Sequence, residues 1–285
     1  MDALYYLLVI TATVLFSLQF LFTQKFGESR GSSLEATLVF TLYKSVVIAV
    51  MMFIIGGVRL EFTLFSALLA LVYTASGLIM TYFSLKAFEV ANLSVYSVFS
   101  MLGGMLLPFL LGIFFYDEGF SVAKTACCVL ILVAVLLGIE KKSGSKKAMI
   151  YYLAVFILNG MAGVISKIHQ SSDVPHVSST SFMILSALCA VLICGVILLV
   201  KCKKIPFLKK NELLLVSGYG VFNGVGNLFL LIALASLPAS VQYPLVTGGV
   251  MVISTLISAI RKEKLTLRDY IATALAFAAA GVIIF

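Results

Sequence analysis

Tryptophan is absent from these 285 residues, and charge is scarce. Asp, Glu, Lys and Arg make up 11% of the chain, against the ~25% usual for a soluble domain. A water-soluble fold of this size has more surface than so few charges can cover. Disorder is excluded too, because 62% of the residues are hydrophobic and the mean hydropathy is +1.15. Acids are the scarcer sign, 12 against 20 Lys and Arg, and none lies in the middle of an apolar run. Cys127, Cys128, Cys189, Cys194 and Cys202 show no zinc-ligand spacing with a histidine. Four of them sit inside apolar segments, where a thiol behaves as a small hydrophobe. An odd count with no extracellular domain argues against a disulfide framework. HExxH, GxSxG and the phosphate-cradling Gly-Lys-Ser/Thr are missing, as are buried paired acids. The chain therefore reads as a non-enzyme, with no cofactor and no metal.

What the sequence has in abundance is long uncharged runs. Residues 62–85, 90–116, 148–166 and 174–200 hold no charged side chain, and 213–260 form an uncharged run of 48. At ~1.5 Å per residue the last run makes about 72 Å of helix, two crossings of a ~30 Å hydrocarbon core. The turn between them falls at 235–240, where Pro238 starts a helix better than it continues one. Asp2 to Lys25, and Glu35 to Arg59 apart from Lys44, add two more spans. Weaker spans at 119–139 and 265–285 bring the total to ten. The breaks fall near 25–35, 56–61, 86–92, 116–121, 140–147, 168–176, 201–211, 235–240 and 261–266. The first segment reads as a retained helix, not a cleaved signal, because Asp2 precedes it and no basic residue does. The runs lack the period-2 alternation of barrel strands, which excludes a β-barrel.

The net charge of +8 comes from loops, not from a nucleic-acid-binding face. Sixteen of the 20 basic residues fall on one set of alternate breaks; Arg59, Lys124 and Lys167 fall on the other. The positive-inside rule puts the rich side in the cytoplasm, and with ten spans both termini then face outside. The basic loops read as orientation signals, with membrane lipid as their partner and no nucleic acid. Nothing in the sequence indicates an oligomeric state.

The second half echoes the first at an offset near 146. Tyr5-Tyr6-Leu7 matches Tyr151-Tyr152-Leu153, Tyr73 matches Tyr219, and Phe83 matches Phe229. Ser94-Val95 matches Ser240-Val241, and at an offset of 145 Gly103-Gly104 matches Gly248-Gly249. Five helices per half make the second repeat enter from the opposite face. The expected fold is an all-α membrane protein of ten transmembrane helices in two inverted five-helix repeats. Residues 1–140 and 148–285 are the repeats, joined by a basic linker at 141–147. Transporters recurrently use this plan, with the substrate site between the halves near the midplane.

Leu237-Pro-Ala-Ser-Val-Gln-Tyr-Pro, Gly248-Gly249, Arg261-Lys-Glu-Lys-Leu-Thr and the final Ala280-Gly281-Val282 resemble the drug/metabolite transporter superfamily. Within it the chain is similar to the EamA-type ten-helix members. Tyr116-Asp-Glu-Gly-Phe-Ser stands in the first half where that family has Gly-Glu-(Arg/Lys)-Leu-Thr. Phe16-Ser17 stands where it often has Trp-Gly. The resemblance implies alternating access, efflux of a small molecule, and location in the plasma (inner) membrane of a bacterium.

Polar groups in the spans are the candidate ligands, because each is costly in lipid unless it faces protein or water. Tyr219, Asn223 and Asn227 lie at i, i+4, i+8; their repeat mates are Tyr73, Gly77 and Thr81. Asn92, Tyr96, Ser100 and Gly104 share a face, and Gln242, Tyr243 and Thr247 cluster in the ninth span. Thr13, Ser17 and Gln24 match Asn159, Gly163 and Gln170, whereas Gln19 falls on a different face. The expected substrate ligands are Lys44, Tyr73, Thr81, Tyr96, Ser100, Asn159, Tyr219, Asn223, Asn227, Gln242 and Tyr243. The alternative for each is interhelical hydrogen bonding. The glycine pairs read as sites of close helix approach.

Lys44 stands about ten positions from either end of its span, where a lysine costs roughly 2.5–3.5 kcal/mol. That cost suggests an aqueous cavity and an anionic group on the substrate. Small multidrug-resistance relatives carry a glutamate in the first helix; here no acid lies between Asp2 and Glu28. A cationic substrate held by a buried carboxylate is therefore disfavoured. His169 and His176 flank a loop and read as solvated residues. The expected function is a carrier for a small polar or zwitterionic metabolite, an exporter of amino acids or related compounds. Sugar uptake and a non-transporting lipid-binding subunit are the competing readings.

Overall fold

A computed structural model describes residues 2–57, 59–115, 146–170, 172–234 and 239–282, with eight scattered positions between 122 and 137. Among the described residues there is no strand. The helices are α1 (Asp2–Arg30), α2 (Leu34–Ile55), α3 (Leu64–Phe88), α4 (Leu93–Phe115), α5 (Lys146–Gln170), α6 (Ser179–Cys202), α7 (Lys210–Leu234), α8 (Ala239–Ile260) and α9 (Leu267–Val282). Six of them, α1, α2, α3, α5, α6 and α7, are long and apolar enough to cross a bilayer. The predicted span at 119–139 lies largely outside the described residues, though the positions described there are helical.

Short polar residues start the helices. Ser33, Thr63 and Ser178 accept from the backbone N–H three residues on, at 3.1, 3.2 and 3.4 Å. Asn92 caps α4 the same way at 2.9 Å. Thr266 and Asp269 satisfy each other's backbone N–H groups across the first turn of α9. The structure corrects one boundary: α1 runs through Lys25 and Glu28 to Arg30, into the break expected at 25–35. Charges at the membrane edge do not stop a helix; Gly31, with φ of +80°, does.

Packing pairs helices from opposite halves. α1 packs on α7 and α8, α3 on α5 and α6, α4 on α5 and α8, and α2 on α6 and α7. At the α4–α5 crossing a Cβ on Gly103 would collide with the Phe156 carbonyl, and one on Gly160 would stand 2.6 Å from the Gly103 carbonyl oxygen. Only glycine lets the two backbones come so close. The polarity is inside out. Leu192, Leu214 and Ile54 are 67%, 71% and 68% exposed, while Thr37, Thr41, Ser45, Ser84 and Ser97 are buried. Exposed aliphatic side chains over hydroxyls turned inward suit lipid, not water.

Candidate functional site

Two cavities run through the centre, of about 220 and 380 Å³. Gln19, Tyr73, Met101, Asn159, Ala162, Met183 and Asn223 line both, so the two are one continuous space. The smaller cavity lies against Lys44, Thr81 and Tyr219; the larger extends to His169, Gln170, Ser179 and Thr180. Those last residues sit at the C-terminus of α5 and the N-terminus of α6, so the space opens toward that end of the bundle. No Asp or Glu is among the residues lining either cavity.

Helical spacing puts the polar groups here. α2 presents Phe40, Thr41, Lys44 and Ser45 to the cavity; α3 presents Tyr73, Gly77, Thr81 and Ser84. The Lys44 ammonium donates to Thr81 Oγ1 at 2.9 Å, and Thr81 donates to the Gly77 carbonyl at 2.8 Å. The ammonium also lies 5.0 Å from the centroid of the Tyr219 ring and 5.3 Å from that of Phe40. Desolvated cation–π contacts are worth about 2 kcal/mol and a hydrogen bond to a charged group about 1.5–3 kcal/mol. These contacts offset the ~2.5–3.5 kcal/mol insertion cost of a central lysine. Among the described residues no acid pairs with it, and a lysine carries three N–H donors.

Other candidates are tied to neighbours. Tyr96 and Ser84 share a hydrogen bond of 2.9 Å, and Asn223 donates to Gln19 Oε1 at 3.0 Å. Asn159 donates to the Ser100 carbonyl and Asn227 to the Asn223 carbonyl, at 2.6 and 2.7 Å. Of the expected ligands, Lys44, Tyr73, Thr81, Tyr96, Asn159, Tyr219 and Asn223 line the smaller cavity, and Asn227 lines the larger one. Ser100 is fully buried and is not among the residues that line either cavity. The side chains of Gln242 and Tyr243 lie outside the described residues.

Five further residues differ from expectation. Gln19 borders both cavities and receives Asn223. Its polar neighbours Thr13 and Ser17 face α8 instead, where Ser17 Oγ lies 3.4 Å from the Val250 carbonyl. α1 is enclosed by α7 and α8, so it carries two polar faces. Gln24 joins the ionic cluster at the other end, bonded to Arg261 and Glu263. His169 is 2% exposed, not solvated: it bonds Ser66 and packs at a tilt against Phe182. His176 is exposed, as expected.

The end away from the opening is sealed by charge. Arg30 bridges Glu212 of α7 at 2.9 Å and Glu35 of α2 at 3.3 Å. Arg261, after α8, binds Glu263 at 2.8 Å, Glu28 of α1 at 3.0 Å, and Gln24. Glu263 also accepts the Leu93 N–H of α4 at 3.1 Å. Five helices, α1, α2, α4, α7 and α8, are thereby held together beneath the smaller cavity.

Residues 146–285 match the family described as the EamA-like transporter family. The second half of the chain belongs to that family. This EamA-type chain is an integral membrane protein and a transporter. A solved structure titled "Crystal structure of protein" is similar to it over 99% of this chain and 98% of that one. The TM-score is 0.64 and the identity 18%, so the likeness concerns the fold. No curated protein matches the chain.

Proposed function

We propose that the chain is an alternating-access carrier for a small polar or zwitterionic metabolite bearing a carboxylate, an exporter of amino acids or related compounds. The observation that carries this is Lys44: a cation at mid-span, with no acid among the described residues that line its cavity, and held there by a threonine and two aromatic rings. A carboxylate takes the ammonium's remaining donors. Gln19, Asn159, Asn223 and the hydroxyls of Tyr73, Tyr96 and Tyr219 then hold the rest of the solute. Asn227 contacts it along the wider passage. Export is what the family resemblance implies.

The fold belongs to the same reading: ten spans in two inverted repeats, 1–140 and 148–285, with both termini outside the plasma membrane. Its support is the packing. Shifting each number by 145 or 146 turns the α1–α7 pair into α5–α3, and α1–α8 into α5–α4; all of these pairs pack. Phe40, Thr41 and Lys44 of α2 exchange with Ser186, Ala187 and Ala190 of α6, and all six line one cavity. The small α6 set leaves room opposite Lys44. Lys44 and the amides of Gln19, Asn159 and Asn223 in that lining favour a solute path over the lipid-binding subunit.

The test is flux in proteoliposomes, comparing the parent with Lys44→Ala. Carboxylate-bearing amino acids should move through the parent and at least about tenfold more slowly through the variant, one lost charged hydrogen bond being worth about 1.5–3 kcal/mol. Equal flux of these solutes through both proteins overturns the assignment.

A further inference from the structure

Among the described residues no carboxylate lines the cavity, yet a titratable group stands at its mouth. His169, in the last turn of α5, is buried, borders the larger cavity, and bonds Ser66 Oγ of α3 through Nε2 at 3.0 Å.

Counting protons at Ser66 fixes the state of that histidine. Thr63 Oγ1 donates to Ser66 Oγ at 2.9 Å. The backbone N–H of Val177 donates to the same oxygen at 3.1 Å. A hydroxyl has two acceptor positions and one proton. Both positions are filled, so the Ser66 proton points at His169, and Nε2 must accept it. His169 is therefore neutral in this conformation, with its own proton on Nδ1. A second proton has no place here: it would turn Nε2 into a donor facing an oxygen with no lone pair left.

The surroundings offer a proton on this ring no compensation. α3 presents Phe65 and Ser66, and α6 presents Phe182, none of them charged. The loop before α6 presents His176, its ring centroid 5.1 Å away, which repels an imidazolium once it is charged itself. Glu61 belongs to the same junction but is engaged, accepting the Ser178 N–H at 2.6 Å. Lys167 lies two residues earlier on the same helix.

We propose that His169 is the proton-binding site of this carrier, and that taking up a proton from the open end drives the cavity mouth toward closing. The step is a simple association: a proton from water bonds to Nε2, the Ser66–His169 bond is lost, and the tie between α3, α5 and the loop before α6 is released. By linkage, a conformation that requires neutral His169 loses population to any other as the proton concentration rises. Freed of these contacts, an imidazole changes charge between about pH 5 and 8, so the balance between the two conformations answers to ordinary variation outside a cell. The proposal rests on the transporter reading for its consequence, but not on which solute is carried.

Two measurements test it, neither needing a substrate. The chain has two histidines, so ¹⁵N-histidine NMR in nanodiscs resolves both, and His176→Asn assigns them. At about pH 8, His169 should carry its proton on Nδ1; the Nε2–H form would overturn the proposal. Thr180 lines the mouth, so Thr180→Cys reports access through its labelling by an impermeant maleimide, taken as the increment over the parent. Labelling should fall about fivefold or more between about pH 8 and about pH 5. The fall should persist with His176→Asn and vanish with His169→Gln, which accepts from Ser66 but binds no proton. A pH dependence unchanged in His169→Gln overturns the proposal. If that variant does not fold, the NMR result on His176→Asn protein decides alone.

Discussion

The two ends of this bundle are held by different chemistry. At the Lys/Arg-rich end, Arg30 and Arg261 tie α1, α2, α7, α8 and the start of α4 together through charged groups. At the open end, α3, α5 and α6 are joined by hydroxyls, a neutral imidazole and one carboxylate on a backbone N–H. Breaking an ion pair that is half buried leaves a charge stranded, whereas neutral partners exchange at little cost. The sealed end thus resists opening, and the open end shifts easily. A carrier that exposes one end at a time gains from that asymmetry, because the costlier gate sets which conformation rests.

The comparison can be broken most severely at Arg30. Arg30→Met leaves the nearly buried Glu212 without its partner, at a cost of about 3 kcal/mol. The expected result is a clear fall in thermal unfolding temperature, whereas a change at exposed Arg268 leaves it unaltered. Arg261→Gln has a smaller effect on stability but a larger one on access. It frees α1 from α8 at the sealed end, so Thr23→Cys, beside the smaller cavity, should label several-fold faster from the Lys/Arg-rich side. The smallest effect is at Glu61. The Ser178 N–H holds its carboxyl below the ordinary carboxylate range, so its contribution is complete above that range and is lost as pH falls through the lowered value. Glu61→Gln should flatten the fall in unfolding temperature below about pH 4 and change nothing at pH 7.

Much of this was legible in the sequence, for one physical reason: charge is expelled from the spans, so its positions mark their ends. Asn223 and Tyr73 could each be assigned to a polar helix face because i, i+4 spacing is rigid in a helix, and Lys44 stood out as a charge at mid-span. Gln19 could not, since spacing reveals one face of a helix and α1 is enclosed on two. Ser100 shares the stripe of Tyr96 but is fully buried, and helical spacing does not show how deeply a residue on a polar face is covered. His169 looked like a loop-edge residue because its partners, Ser66 and Phe182, are far away in sequence. The ionic seal was equally hidden: Arg30 and Glu212 are 182 positions apart.

The most direct test of Lys44 as the carboxylate anchor is thermal unfolding of the purified carrier with paired ligands, an amino acid and its amide. Only the carboxylate form should raise the unfolding temperature, and Lys44→Met should abolish the rise. Equal stabilisation by the amide, or a rise that survives in Lys44→Met, would contradict it.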